Sequence, residues 1–428
     1  MSEAAPAALR RRLGLPQVTL AGIGVILGAG VYALIGPAAG LAGNALWLAF
    51  LLSGAVAGLT AYSYARIGSM RPKDSPEFQY TALAFGPRVG FLAGWLMLAA
   101  DLLAVATVAL AFGSYLAHLA GMSVVAGALA LLGVTGVVLL VGIGESVALA
   151  IVLTVIEAAG LIFVIAIGLP AWGRVNLLEL PHGMAGLSGA AALIFFAYLG
   201  FDELGNLAEE MRDPERNLPR ALFLSMVGAT AIYVLVALSA TAAVDWRDLE
   251  ASPAPLALVA RRALGSAADF GLTVVALAAT ANTVLLLLVA ASRSIYGMAG
   301  AGMLPHRLGS VTRRGIPLAA TVLVTIIASA LVLPGNLTRM ATLTDATVLS
   351  SFMLVNLSLP WLAYSGVTRT SRARRVADVA VPGLALLLCG WLLLHTGGPS
   401  IAATAGLALV GIALASWRAA RSERLAPR

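Results

Sequence analysis

Two short stretches combine residue types that could hold a charged small molecule. Gly22–Gly36 reads GIGVILGAGVYALIG, an apolar segment with glycine at 22, 24, 28, 30 and 36. Ala190–Asn206 reads AAALIFFAYLGFDELGN, where Gly200, Asp202 and Glu203 interrupt another apolar run. Glycine weakens a helix and lets other groups approach its backbone closely. A helix unwound at such points frees N–H and C=O groups, which is tolerable in hydrocarbon only where they face a cavity or a ligand. Freed amides at a half-helix N-terminus attract a carboxylate, while freed carbonyls at a C-terminal end attract an ammonium or other cation. Gly24 and Gly28 also make a GxxxG pattern, for which close packing between helices is the alternative reading.

Carboxyl groups supply the second kind of candidate. Asp101, Glu157, Asp202 and Asp345 all fall within or beside apolar runs. An ionised carboxylate at the centre of a bilayer costs roughly 2.5–3.5 kcal/mol. Taking a proton avoids that cost, so such a group is a natural proton carrier. Glu157 has no Lys or Arg in its own run, and it reads either as a protonated structural acid or as a coupling site. Asp202 reads as a coupling group or as the cap of the second half-helix. Glu203, Glu209 and Glu210 fit a gate, or surface pairs with Arg212, Arg216 and Arg220 worth under about 1 kcal/mol each. Asp345 suggests no role.

The elements that must position these groups follow from composition. Of 428 residues, 60% are hydrophobic and 11% charged, more apolar surface than a soluble chain could hide. Twelve apolar runs of membrane-spanning length fall near 16–37, 43–67, 88–119, 123–142, 146–171, 186–208, 220–244, 264–299, 316–334, 340–365, 379–395 and 400–417. Strict alternation over short strands is absent, which disfavours a β-barrel. The expected architecture is an all-α polytopic membrane protein.

Basic residues orient it. Of the 27 Lys and Arg, one set of connections holds only Arg174, Arg247, Arg261, Arg262 and Arg339. The rest, from Arg10–Arg12 to the C-terminal arginines, lie on the other side, which places both termini in the cytoplasm. The net charge of +7 then reads as topology and attraction to anionic lipid, not as nucleic-acid binding. The two breaks fall in the first and sixth runs, so runs one to five and six to ten form halves of opposite orientation. That is the pattern of inverted-repeat transporters. A single cysteine, Cys389, excludes an intramolecular disulfide. Four histidines (His118, His182, His306, His395) show no ligand spacing. No cofactor, structural metal or catalytic constellation is expected.

Three motifs extend this reading. ILGAGVYALIG (26–36), FFAYLGFDELGNLAEEMRDPERNLPRAL (195–222) and SRSIYGMAGAGMLP (292–305) resemble helix one, helix six with its following loop, and the end of helix eight in the amino acid–polyamine–organocation superfamily. The resemblance implies a LeuT-type 5+5 inverted repeat with two additional C-terminal helices. The halves would be 16–171 and 186–366, followed by 379–417, between cytoplasmic segments 1–15 and 418–428. It implies secondary transport of an amino acid by alternating access, proton-coupled or by exchange, with a polyamine or other amine as the alternative substrate. A transport-inactive membrane sensor is the remaining alternative. The transporter would work as a monomer or a homodimer in the cytoplasmic membrane.

By the same resemblance Gly28, Ala29 and Gly30, with Ile26 beside them, would offer amides to the substrate carboxylate. Phe196, Ala197 and Leu199 would offer carbonyls to its ammonium. Phe196 would act as the aromatic gate, and Phe195 and Gly200 border the same break. Asp202 matches a position tied to proton coupling in some relatives. Glu157 stands where proton-coupled relatives often carry lysine, so it could take a proton or coordinate sodium; the hydroxyls of Thr280, Thr283 and Ser292 keep sodium open. Asp101, on a helix that lines the family's site, would meet a cationic substrate group or serve as a protonated packing acid. The loop RPKDSPEFQY (71–80) departs from the family pattern.

Overall fold

A chain immersed in hydrocarbon must pair its backbone polar groups within each segment, so long apolar runs are driven to form helices. The computed structural model describes residues 13–70, 76–141, 147–300, 303–312, 316–366 and 371–425. Arg10–Arg12, the loop from Arg71 to Ser75, Arg313, Arg314 and Arg369 lie outside the described residues. So do the side chains of Glu209, Glu210 and the arginines from Arg418 onward.

In chain order the helices are α1 (Leu15–Ile26), α2 (Gly30–Ala42), α3 (Leu46–Met70), α4 (Pro76–Phe85), α5 (Pro87–Ala120), α6 (Val124–Val141), α7 (Val147–Gly168) and α8 (Gly183–Ile194). They continue with α9 (Pro214–Ala243), α10 (Trp246–Ala251), α11 (Pro255–Leu264), α12 (Ser266–Gly300), α13 (Leu318–Val332), α14 (Leu337–Tyr364), α15 (Arg372–His395) and α16 (Gly398–Leu425). Proline opens α5, α9 and α11, where its missing N–H costs nothing. No β-strand forms among the described residues; Leu13 and Met211 make only an isolated parallel bridge.

Ten helical stretches among the described residues are long and apolar enough to cross a membrane. The difference from twelve predicted runs has two sources. Run 16–37 is split into α1 and α2, and α2 continues through a 3-10 turn into α3 as one stretch of 41 residues, Gly30–Met70. Run 316–334 becomes α13, whose 15 residues fall short of a full span. Large apolar side chains such as Val134, Val155, Phe223, Ile326 and Leu394 stand exposed on the outside of the bundle, as a lipid-facing surface requires.

Run 186–208 departs most from a simple helix. α8 stops at Ile194, Phe195–Tyr198 forms a 3-10 turn, and Leu199 is extended. Gly200 then takes φ of +105°, which a side chain would resist. From Phe201 to Glu210 the chain winds as a 3-10 helix. The expected second half-helix is therefore not α-helical, and ten residues is long for that geometry.

α14 packs across these elements, touching α5, α15, α3 and the Phe195–Tyr198 turn. Phe352 on α14 meets Phe195 at 6.2 Å, Phe201 at 5.3 Å and Tyr64 at 5.6 Å between ring centroids. α15 is fastened to α3 by a bidentate pair. The Arg66 guanidinium donates from Nε and Nη2 to the buried Asp378 carboxylate, both at 2.8 Å, and the Tyr62 hydroxyl donates to Oδ1 at 2.8 Å.

Candidate functional site

The two interruptions are in direct contact. α1 ends at Ile26, α2 begins at Gly30, and no side chain caps the start of α2. The first amides of a helix have no partner within it, so an uncapped start at this point presents donors. A Cβ added to Gly30 would lie 2.6 Å from Ala197 Cα, and one on Gly200 would lie 2.9 Å from Val25 Cγ1. Glycine at both positions lets the broken backbones touch. Gly24, by contrast, serves packing: its Cα faces the Thr154 methyl on α7.

Tyr233 on α9 joins the breaks. Its hydroxyl lies 2.5 Å from the Ile26 carbonyl oxygen and 2.9 Å from that of Ala197, donating to both. A hydroxyl carries one proton, which the two carbonyls therefore share. Ile26 and Ala197 are thus brought together, and the Ala197 carbonyl, expected to await an ammonium, is already engaged. The Tyr198 hydroxyl donates to the Phe50 carbonyl at 2.8 Å and holds the other side of the turn.

Among the nest amides, Ala29 N–H donates to Thr283 Oγ1 on α12 at 3.3 Å, and that hydroxyl donates in turn to the Ala279 carbonyl at 3.0 Å. A Cβ on Gly28 would stand 3.6 Å from the Oγ1 of the same threonine, an ordinary contact. Phe195 turns into the aromatic cluster around Phe352. Phe196 is 6% exposed, and Leu199 is half-buried.

Glu157 on α7 sits behind α2. The Tyr32 hydroxyl donates to its backbone carbonyl at 2.8 Å, and its carboxyl oxygen Oε1 is buried without a hydrogen-bond partner. Tyr32 is the second residue after Gly30, so Glu157 touches the half-helix that the first break creates. Asp202 accepts a hydrogen bond from Gly200 N–H at 3.1 Å, the arrangement of a cap on the second break.

Asp101 and Asp202 meet elsewhere, around a cavity of about 290 Å³. Its lining joins Glu77 on α4, Asp101 on α5, Asp202 and Glu203 beyond the sixth-run break, and Met298 on α12, with no Lys or Arg among the described lining residues. Gly28, Gly30 and Phe196 do not line it. Glu77 accepts a hydrogen bond from the Tyr64 hydroxyl at 2.7 Å. Burial pushes its carboxyl up to about 7, against the pull of that bond. Among the described residues, no group of three or more His, Cys, Asp or Glu could hold a metal ion.

Reading the sequence missed Tyr233 and Glu77. Tyr233 had no signal, because an isolated tyrosine in an apolar helix does not reveal which carbonyls it reaches. Glu77 had a weak one in the unusual loop before it.

Comparison with known proteins decides the family. A model of the family described as amino acid permease matches residues 13–414. The chain belongs to this family. The permease is 26% identical over 433 residues to the branched-chain amino acid permease BcaP of Bacillus subtilis, covering 95% of this chain and 92% of that one. It is 30% identical to an uncharacterised transporter of Mycobacterium tuberculosis, covering 96% and 92%. It is also 27% identical to the vacuolar cationic amino acid transporter 2 of Arabidopsis thaliana, over 83% of this chain and 60% of that relative. The permease is therefore a multi-pass membrane transporter of the amino acid–polyamine–organocation superfamily, with an all-α fold of the LeuT type.

Proposed function

We propose that the permease is a secondary active transporter that carries an amino acid across the cytoplasmic membrane by alternating access, with both termini in the cytoplasm. The observation that carries this reading is the contact between the two breaks, Gly30 against Ala197, with an uncapped helix start on one side and carbonyl ends on the other. A zwitterion suits that pairing. Its carboxylate would face the amides of Gly28–Gly30 and its ammonium the carbonyls of Phe196 and Leu199, with Phe196 closing over it. Exchange of the shared Tyr233 proton between Ile26 and Ala197 would free one carbonyl for the ammonium.

Transport is proton-driven or proceeds by exchange. A proton bound at Glu157 or Asp202 shifts the balance of inward- and outward-facing states only through its different affinity for each. The carrier makes and breaks no covalent bond. A second reading, transport of a polyamine or other amine, is favoured by the cavity lined by Glu77, Asp101 and Asp202. The relatives include both a branched-chain amino acid permease and a cationic amino acid transporter.

Uptake of radiolabelled amino acids and polyamines into proteoliposomes, with and without an imposed pH gradient, tests this. Accumulation of an amino acid that collapses with a protonophore is expected of the proton-driven form. Counterflow insensitive to pH would indicate exchange. Absence of flux for every amino acid, with flux of an amine, would replace the first reading with the second.

A further inference from the structure

Asp345 is the fully buried acid for which the sequence suggested no role. It lies a little over two turns into α14, has no exposed surface, and neither carboxyl oxygen has a hydrogen-bond partner. Its neighbours in sequence do not serve it. Thr344 donates to the Met340 carbonyl and meets Thr107 on α5, while Thr347 donates to the Leu343 carbonyl and meets Thr404 on α16. Asp345 lies about 100° round the helix from Thr344 and about 160° from Thr347, on a different face from both. Phe352, seven residues on, shares its face, and Phe352 packs on Phe195 and Phe201. The acid is therefore aimed at the break in the sixth run, on the side of the Phe196 backbone.

We propose that Asp345 is a proton-binding group whose occupancy sets the geometry of the break at Phe196. A carboxylate enclosed without hydrogen bonds or counter-charge is too costly to persist. The side chain does not line the acidic cavity, so a proton is the cation it can take in this conformation. Among the described residues no charged side chain hydrogen-bonds it. The packed elements carry, among these residues, Arg88, Asp101, Tyr115 and His118 on α5, Glu77 and Tyr80 on α4, Tyr62, Tyr64 and Arg66 on α3, Arg372, Arg374, Arg375, Asp378, Cys389 and His395 on α15, and Tyr198 at the turn, and none of these hydrogen-bonds Asp345. When the break opens, water reaches the carboxylate and the proton leaves for solvent. The ionised group then holds the Phe196 amide, and with it the ring expected to gate the site. Closing around substrate returns the proton. This inference rests on the proton-coupled form of the proposed function.

Two readouts on purified protein test it. Infrared spectra of wild type and Asp345→Asn, each with saturating L-leucine or L-arginine, are compared for protonated-carboxyl absorption. Affinities for L-leucine and L-arginine are then measured from acidic to neutral pH. The variant should lose part of the protonated-carboxyl absorption seen in wild type. Wild-type affinity should fall as pH rises, by up to about tenfold per pH unit for one coupled proton, and the variant should flatten that slope. Asparagine is near-isosteric with the protonated acid; should the variant not fold, Asp345→Glu shifts the band and assigns it equally. Identical bands overturn the proposal. A band assigned to Asp345 with an unchanged slope also overturns it, and leaves coupling through other groups standing. Wild-type affinity independent of pH overturns the proton-coupled reading and this inference together.

Discussion

Gly30 and Ala197 meet backbone to backbone: a Cβ on Gly30 would stand 2.6 Å from the Cα of Ala197. The obstacle is main chain, so it cannot turn aside as a flexible side chain would. Gly30→Ala should push the two breaks apart at a cost of about 1–3 kcal/mol. The variant should still fold, because the rest of the bundle is untouched, while ligand affinity falls by about tenfold or more. Titration calorimetry against the wild type's best ligand checks this.

Tyr233→Phe removes a hydroxyl shared by Ile26 and Ala197 and leaves both carbonyls without that donor. Stability should fall by about 1–3 kcal/mol. Transport should fall more than stability alone explains, since the two breaks are no longer held in register. Parallel unfolding and uptake measurements separate the two effects, and equal losses would assign Tyr233 a structural role only.

The positions where the backbone breaks were legible because glycines cluster in the first run and Gly200 stands beside two acids in the sixth. Gly30 and Gly200 announced the close approaches found at Ala197 and Val25. The hands that hold the breaks were not legible. Tyr233 lies 207 residues from Ile26, and Arg66 lies 312 from Asp378; apolar periodicity says which face is buried and not what lies across it. For the same reason Asp101 and Asp202 read as separate candidates, although the fold joins them with Glu77 around one cavity. The second half of the sixth run read as a helix because a 3-10 helix and an α-helix place apolar residues at similar spacings.

Glu157→Gln keeps the shape of the side chain and the backbone carbonyl that accepts from Tyr32, but it removes the titrating group. Uptake should lose its dependence on pH while ligand affinity stays within a few-fold of wild type. Uptake measured across a pH series decides the matter, and an unchanged profile would remove Glu157 from the coupling mechanism.

Glu77 gives the fold a pH dependence of definite sign. Burial raises its carboxyl from 4.5 to about 7 in the folded protein. The contribution is therefore fully present below the unfolded value and is lost as pH rises through about 7. Thermal stability should decline from mildly acidic to neutral pH, and Glu77→Gln should flatten that decline. A variant curve parallel to wild type would show that Glu77 is ionised in the folded state throughout.

The central claim is that a substrate carboxylate and ammonium are held between the two broken segments. The most direct test is a thermal-shift screen of purified protein against amino acids and their matched decarboxylated amines. A ligand at 100 times its Kd that binds only the folded state adds about 2.7 kcal/mol, a visible shift. The account predicts stabilisation by one or more amino acids and none by the corresponding amines, because only the former fill the amides of Gly28–Gly30. Stabilisation by amines alone would contradict it and move the binding site to the cavity around Asp101.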